Sequence, residues 1–296
     1  MTPPCFICAG TSFDQVTRQY RRCTTCGHET LLGEPVQTYM LNDALDKADA
    51  ARPSLLDRFQ DAILRRFSSG TEDGLWVDIG SGSGRLLHRN RGRFARHCGV
   101  EITPAAVEFS CRELGLNIVT DLANAPGEVA FATAWHSLEH FPTPALESLL
   151  ATLRAKMQTG GRIVVSVPNG ASFQYRLFRG RYAFFDVPNH LQQFTPDSVQ
   201  RLFAAHGFTI TATVVSWPYN IFGYVQALLN LMLRDHNYLY YRLKRRTAKP
   251  SRLRDLANLL LLPLFVPAGL ALAMLDAACP ERQGVLTCCF GKRADP

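Results

Sequence analysis

Between residue 74 and about residue 216, short apolar runs alternate with stretches of helical periodicity. The apolar runs predict strands over Leu75–Ile79, Cys98–Ile102, Asn117–Val119, Val129–Ala134 and Arg162–Val167, with helices between them such as Pro104–Leu114 and Pro144–Met157. Strand–helix–strand repeats need crossover connections, so this pattern predicts an α/β fold with a mostly parallel sheet covered by helices on both faces. Two later runs, Phe208–Ser216 and Gly284–Gly291, read as further strands that close the sheet as an antiparallel pair. Residues 1–36 hold paired cysteines, and 37–73 is a polar linker entering an amphipathic helix with Leu55, Leu56, Phe59, Ile63, Leu64 and Phe67 near helical spacing. The core spans 74–216. A segment that is apolar, then basic, then apolar fills 217–283, and 284–296 is the last strand and tail. No internal repeat or low-complexity tract interrupts the pattern.

Composition narrows the picture. With 296 residues, 47% of them apolar and 19% charged, the chain is long enough for one large core with small appendages, and disordered or fibrous architectures are excluded. The net charge of +7 comes from one place: Arg242, Lys244, Arg245, Arg246, Lys249, Arg252 and Arg254 occur with no acid among them. The excess is therefore a local patch, not a coat of positive charge for nucleic acid. Nine cysteines, in two close pairs, scattered singles and an adjacent Cys288-Cys289, do not form a disulfide framework. The start, MTPPCFIC, lacks a basic region followed by an apolar one, so no secretory signal is expected and a reducing cytoplasm is.

The strongest chemical signal is Leu75-Trp76-Val77-Asp78-Ile79-Gly80-Ser81-Gly82-Ser83-Gly84, a buried-strand run feeding a glycine-rich turn and a helix from about Arg85. Glycines there permit positive φ and close approach of a ligand to a helix N-terminus; the bland alternative is a tight turn with no ligand. A dinucleotide fingerprint wants Gly or Ala where Arg85 stands, and the pattern is D-x-G-x-G-x-G instead. It resembles motif I of the class I S-adenosylmethionine-dependent methyltransferases, over most of residues 74–216.

That resemblance implies a Rossmann-like sheet with an antiparallel last strand and a cofactor site made by Asp78, Gly80, Ser81, Gly82 and Gly84. Glu101, in Gly99-Val100-Glu101-Ile102 at the end of the second strand, becomes the carboxylate for both ribose hydroxyls, with Ile102 beside it. Thr120-Asp121-Leu122 looks like the family's adenine site, Asp121 accepting from the exocyclic amine while a neighbouring apolar side chain such as Leu122 packs on the ring. Trp135-His136-Ser137-Leu138-Glu139-His140-Phe141 is similar to the strand-4 motif, which puts His136 near the cofactor and gives Glu139 and His140 the tasks of orienting the loop and capping the next helix. Asp186-Val187-Pro188-Asn189-His190-Leu191-Gln192-Gln193-Phe194-Thr195 resembles a Pro-x-His-Leu-x-x-Phe element of a bacterial subgroup often linked with polysaccharide biosynthesis. His190 is the candidate base for a hydroxyl acceptor, or an imidazole that holds the loop, and His136 is a second catalytic candidate.

Cys5-Phe6-Ile7-Cys8 and Cys23-Thr24-Thr25-Cys26 are C-x-x-C pairs separated by fourteen residues, each followed by small residues whose amides can turn toward thiolates. Cys5, Cys8, Cys23 and Cys26 suit structural Zn²⁺ in a ribbon; a redox pair belongs at a helix start in a thioredoxin-like unit, which this pattern lacks. A closed four-ligand site implies a folding or substrate-presenting role.

From Tyr219 to Leu233 and from Leu256 to Leu275 the chain is apolar, the second run carrying Pro263 and Pro267. A helix needs roughly 20 apolar residues to cross a ~30 Å hydrocarbon core, so only the second reaches that length. If Gly284–Gly291 rejoins the sheet, a single crossing is excluded, and a re-entrant or in-plane hairpin with its basic linker on anionic headgroups is expected. The alternative is an extra lobe or a dimer interface. The expected activity is S-adenosylmethionine-dependent methylation of a glycan or lipid-linked hydroxyl, by a peripheral or monotopic protein on the cytoplasmic side of the inner membrane. Two other readings remain. One is RNA methylation, with Arg18, Arg21, Arg22, Arg89, Arg91, Arg93 and Arg96 as a phosphate track, which the apolar segment opposes. The other is a non-catalytic cofactor-binding scaffold.

Overall fold

The computed structural model describes residues 3–17, 19–32, 52–234, 236–243 and 251–294. Strands β1 (Phe13–Gln15), β2 (Tyr20–Cys23) and β3 (Glu29–Leu31) form the small antiparallel sheet that carries the cysteines. Helix α1 (Leu55–Phe67) starts at a capping box, in which the Ser54 hydroxyl accepts from the Asp57 amide and the Asp57 carboxylate accepts from the Ser54 amide. It buries Ile63, Leu64 and Phe67 against the sheet.

The central sheet follows. Strand β4 (Leu75–Ile79) is buried at every position and leads into α2 (Arg85–Asn90). Then come β5 (Arg96–Val100), α3 (Pro104–Arg112), β6 (Ile118–Val119), β7 (Val129–Trp135), α4 (Thr143–Lys156), β8 (Met157–Pro168), α5 (Phe173–Phe178) and the two-residue β9 (Gln192–Gln193). Helix α6 (Pro196–Ala205) precedes β10 (Phe208–Val214). Seven strands make the sheet in the order β10-β11-β8-β7-β4-β5-β6, with β11 (Val285–Lys292) antiparallel to both of its neighbours and the β8-to-β6 half parallel. The expected antiparallel closure is therefore present, with the last strand wedged between β8 and β10. Strand β5 ends two residues before the expected boundary because the chain turns at Glu101, whose carboxylate takes the amides of Ile102 and Thr103.

The strand β9 leaves the central sheet altogether. It pairs antiparallel with β3, Glu29 opposite Gln193 and Thr30 opposite Gln192, so the ribbon borrows its fourth strand from the larger part of the chain. Between β10 and β11 stand α7 (Trp217–Leu233), α8 (Tyr238–Leu243) and α9 (Arg252–Ala277). Helices α7 and α9 pack as a hairpin, close enough that a Cβ on Gly269 would lie 2.7 Å from Val225 Cγ2, and Tyr224 donates to Asp276 Oδ2 at 2.6 Å. Helix α9 contains Pro263 and Pro267 yet runs for 26 residues. It is long and apolar enough to cross a membrane by length and composition, with 22% of its most apolar window buried. Leu256, Leu260, Leu264 and Leu275 are among its exposed residues. In the basic run, Arg242 pairs with Asp255 at 3.2 Å, and Lys244, Arg245, Arg246 and Lys249 lie outside the described residues.

Candidate active site

A cavity of about 350 Å³ opens where β4 and β7 end, the crevice in which open α/β sheets bind ligands. One wall is the glycine loop. Gly80 sits at φ 71° with no room for a side chain, since a Cβ would lie 2.4 Å from Ser137 Cβ. Gly84, at φ 71°, is the N-cap of α2 and lies against Leu116 and Ser110. Ser81 and Ser137 have buried hydroxyls without hydrogen-bond partners, polar atoms that a ligand in the crevice would satisfy. Asp78 is buried at the loop's base and accepts from Thr133 at 2.6 Å, and Trp76 donates to the same hydroxyl. Burial, reinforced by the Glu101 charge, pushes the Asp78 carboxyl up to about 7.

Glu101 is buried and already engaged: Oε2 accepts from the Gly82 amide at 2.8 Å, and Oε1 from the Ile102 and Thr103 amides at 2.9 and 2.8 Å. Of the four lone-pair positions on a carboxylate, one remains, on Oε2. It can take one ribose hydroxyl in this state, and the second only if the Gly82 amide lets go. Asp121 uses Oδ1 to cap the short turn after it, through the Ala123 amide at 2.8 Å. Leu122, expected to pack on the adenine ring, is 1% exposed and belongs to the core, whereas Ile102 is 71% exposed and supplies the open apolar surface beside Thr120. Asp78, Gly80, Ser81 and Gly82 line the cavity, Glu101 is held against the Gly82 amide, Gly84 caps the following helix, and the Leu122 side chain lies in the core.

The turn after β7 and the loop before β9 bring histidines to the same cavity. His136 adopts a left-handed backbone at φ 49°, a conformation that costs a non-glycine residue about 1–3 kcal/mol and is held here by its amide's bond to Ser166 O at 2.8 Å. Its ring stacks on Phe184 and approaches Glu139 Oε1 to 3.4 Å through Nδ1. His140 Nδ1 lies 2.9 Å from Asn189 O, so this ring does orient the loop after β8. Neither Glu139 nor His140 caps α4, whose N-cap is Pro142 without a side-chain bond. The loop has two backbone tasks instead: the Leu191 amide donates to Glu139 O, and the Leu31 amide of the ribbon donates to Leu191 O. His190 is 7% exposed, and burial beside His140 holds its imidazole well below its ordinary range, so it stays neutral with a lone pair to offer.

The remaining wall was not legible in the sequence. Tyr219 and Phe222 of α7, with Tyr240 and Tyr241 of α8, line the cavity together with Phe184. Tyr219 accepts from Gln60 at 2.9 Å, which ties the hairpin to α1. A cluster of aromatic residues in an otherwise aliphatic segment was the available signal. Of the seven arginines of the expected phosphate track, Arg89 pairs with Asp57 and Asp61, Arg93 with Glu72, and Arg22 with Glu29, while Arg18 lies outside the described residues.

The ribbon docks behind the His190 loop. The four cysteine sulfurs lie within 4.8 Å of one another, with Cys5–Cys26 at 3.7 Å and Cys8–Cys23 at 3.5 Å. A tetrahedral site with Zn–S bonds of about 2.3 Å needs sulfurs about 3.8 Å apart, so the donor set fits Zn²⁺. Tyr20 donates to His190 O, Thr195 to Cys26 O at 2.8 Å, and Tyr175 to Glu29 Oε2 at 2.8 Å, while His28 and Gln192 share a bond of 2.8 Å.

The family described as "Methyltransferase domain" matches residues 51–213, more than half of the chain and all of the glycine-loop wall. The chain belongs to this methyltransferase family. Its glycine loop and sheet are those expected of an S-adenosylmethionine-dependent enzyme. Among solved structures, a putative sarcosine dimethylglycine methyltransferase from Galdieria sulphuraria is similar at TM-score 0.53 and 11% identity, over 80% of this chain and 85% of that one. The [4+2]-cyclase SpnF is similar at TM-score 0.50 and 16% identity, over 81% of each chain. A SAM-dependent methyltransferase from Archaeoglobus fulgidus aligns at TM-score 0.46 and 17% identity, over 80% of this chain and 94% of that one. At these identities the likeness concerns the fold, and a cyclase among the neighbours makes the same point about chemistry. No curated protein matches the chain by sequence.

Proposed function

We propose that this methyltransferase transfers a methyl group from S-adenosylmethionine to a hydroxyl of a glycan or lipid-linked acceptor at the cytoplasmic face of the membrane, with its ribbon cysteines holding a structural zinc. The observation that carries the acceptor reading is the double use of the insert. Tyr219, Phe222, Tyr240 and Tyr241 face the cavity, while α9, packed on the outside of α7, turns a row of leucines outward. Flat aromatic faces suit sugar rings and apolar tails, and a long exposed apolar helix face suits the interfacial region of a bilayer. Strand β11 rejoins the sheet after α9, so the hairpin leaves and returns on one side, in keeping with an in-plane helix.

Gly80, Gly82, Gly84, Ser81 and Glu101 would hold the cofactor, and when bound it supplies an electrophilic methyl group on a positively charged sulfur. The chain's part is proximity and proton handling. The cavity walls would hold an acceptor hydroxyl toward that methyl group, and a nearby base would take the hydroxyl proton as the oxygen–carbon bond replaced the carbon–sulfur bond. His190 lines the same cavity as the glycine loop with its imidazole neutral, which suits it to that task.

The test is calorimetric titration of S-adenosylmethionine and its demethylated product into zinc-retaining protein, wild type against Glu101→Ala, followed by flotation with vesicles containing anionic lipids and a screen of lipid-linked sugars. Micromolar cofactor binding lost in the variant, with vesicle binding and methyl incorporation, is the expected result. Absence of cofactor binding by the folded protein would remove the reading. Cofactor binding with no vesicle association would remove its membrane part.

A further inference from the structure

The cavity holds a second set of metal-type donors, separate from the ribbon. Glu139, His140 and His190 each present a ligand atom within 4.8 Å of the others, and all three line the cavity. Their surroundings are unusual for residues with only structural tasks. Glu139 has no exposed surface, and neither of its carboxylate oxygens has a hydrogen-bond partner; His136 Nδ1 approaches Oε1 to 3.4 Å. His190 Nδ1 is likewise buried with no partner. A carboxylate removed from water without hydrogen bonds is unfavourable by several kcal/mol unless a positive charge sits against it.

We propose that Glu139, His140 and His190 form a mononuclear site for a divalent transition-metal ion, open toward the cavity, where it takes an oxygen of the acceptor. The ring orientations support ligation. His140 directs Nδ1 to Asn189 O at 2.9 Å, the outer bond that metal-bound imidazoles ordinarily make, which leaves its lone pair on Nε2. The two rings lie 4.8 Å apart and 71° from parallel, so they converge from different directions. Asn189 is in turn held by Asp186 Oδ2 at 3.2 Å, and Asp186 itself faces the cavity. Two imidazoles and one carboxylate select zinc, manganese, cobalt or ferrous iron over magnesium or calcium, and three protein ligands leave positions for water or substrate. Residues from two separate loops supply the set: Glu139 and His140 from the turn after β7, and His190 from the loop that the ribbon grips.

The test uses the full chain with its ribbon zinc retained. Manganese is titrated in and followed by loss of the free-ion electron paramagnetic resonance signal, because manganese competes poorly for four thiolates. The expected result is one manganese per chain, with affinity lowered at least tenfold in Glu139→Gln and in His140→Ala. A second readout needs no variant. Metal-free protein refilled with cobalt should take two equivalents, one giving intense thiolate-to-cobalt charge-transfer absorption and the other only weak ligand-field bands. Wild-type protein that binds a single cobalt, all of it with the thiolate spectrum, overturns the proposal. So does manganese binding that both folded variants retain at wild-type strength. A His190 that ligates the metal cannot also be the base, so with the site filled the acceptor proton passes to another group lining the cavity, such as Asp186. Because neither readout involves the methyl donor, failure here leaves the proposed reaction standing with His190 as its base, and loss of cofactor binding would leave this site standing.

Discussion

The ribbon and the α7–α9 hairpin are both appended to the same methyltransferase sheet, and both end at the same cavity by opposite means. The ribbon contributes support from behind, through backbone pairing and through the side chains of Tyr20, His28 and Glu29. It adds β3 to β9, and through Tyr20, Leu31 and Thr195 it fixes the loop that carries His190, while its own cysteines stay behind that loop. The hairpin contributes side chains. Tyr219 and Phe222 enter the cavity directly, and the opposite side of the hairpin is left apolar and exposed. A unit that stands behind a loop acts on the cavity by positioning that loop. A unit that lends side chains sets what the cavity accepts.

The largest effect should come from dismantling the ribbon. Structural zinc in small modules contributes on the order of 10–16 kcal/mol to folding, so zinc removal or Cys23→Ser should unfold the ribbon and lower methyl transfer about 100-fold or more. Binding of S-adenosylhomocysteine should change only a few-fold, because Gly80–Gly84 and Glu101 make no bond to β9. Parallel measurements of turnover and product-cofactor affinity check this, and equal loss of both would break the distinction between the two appendages.

A bulky residue at the helix crossing strikes the hairpin instead. Gly269→Leu should lower stability by about 1–3 kcal/mol, since even a Cβ there meets Val225 at 2.7 Å. Thermal unfolding gives the shift, and acceptor KM should rise with cofactor affinity kept.

The hairpin also has a pH signature. Burial raises the Asp276 carboxyl above its ordinary value. An acid raised in the folded state binds protons more readily there than in the unfolded chain, so its contribution is complete below the unfolded pKa and is lost as pH climbs through the folded one. Asp276→Asn keeps an acceptor for Tyr224 and should raise Tm by about 2 °C at pH 8 and leave it unchanged near pH 4. A larger gain at the acid end would reverse the assignment.

The hydroxyl of Tyr219 is a finer probe. Tyr219→Phe removes one hydrogen bond to Gln60, about 1 kcal/mol, and should raise acceptor KM roughly fivefold with kcat nearly unchanged. The smallest effect on folding is expected at Leu260→Lys on the exposed face of α9, within about 0.5 kcal/mol of wild type, while vesicle flotation is lost. Unchanged flotation would show that this face has another use.

Much of the sheet could be read in advance because its signals are local. A strand buried on both faces is a continuous apolar run, and a βα turn at a ligand site needs glycines where φ is positive, as at Gly80 and Gly84. Glu101 was found by its position after the second strand, but its three amide partners were not, since they depend on how the loop folds back. Leu122 was misplaced for a related reason: being next to Asp121 in sequence does not say which way the side chain turns, and the short helical turn directs it into the core.

By itself the sequence determined the seven strands of the central sheet, the glycine loop, the two cysteine pairs and the two long apolar segments. Each is a property of neighbouring residues, set by backbone sterics, ligand spacing or hydrophobic period. Only the tertiary structure decided that β9 would complete the ribbon's sheet, that aromatic residues of the insert would enclose the cavity, and that His190 would meet Glu139 and His140. Those contacts join residues about 50 to 160 positions apart. No local periodicity encodes such pairings; they arise when separate elements bury their apolar faces against one sheet and their polar groups must find partners there.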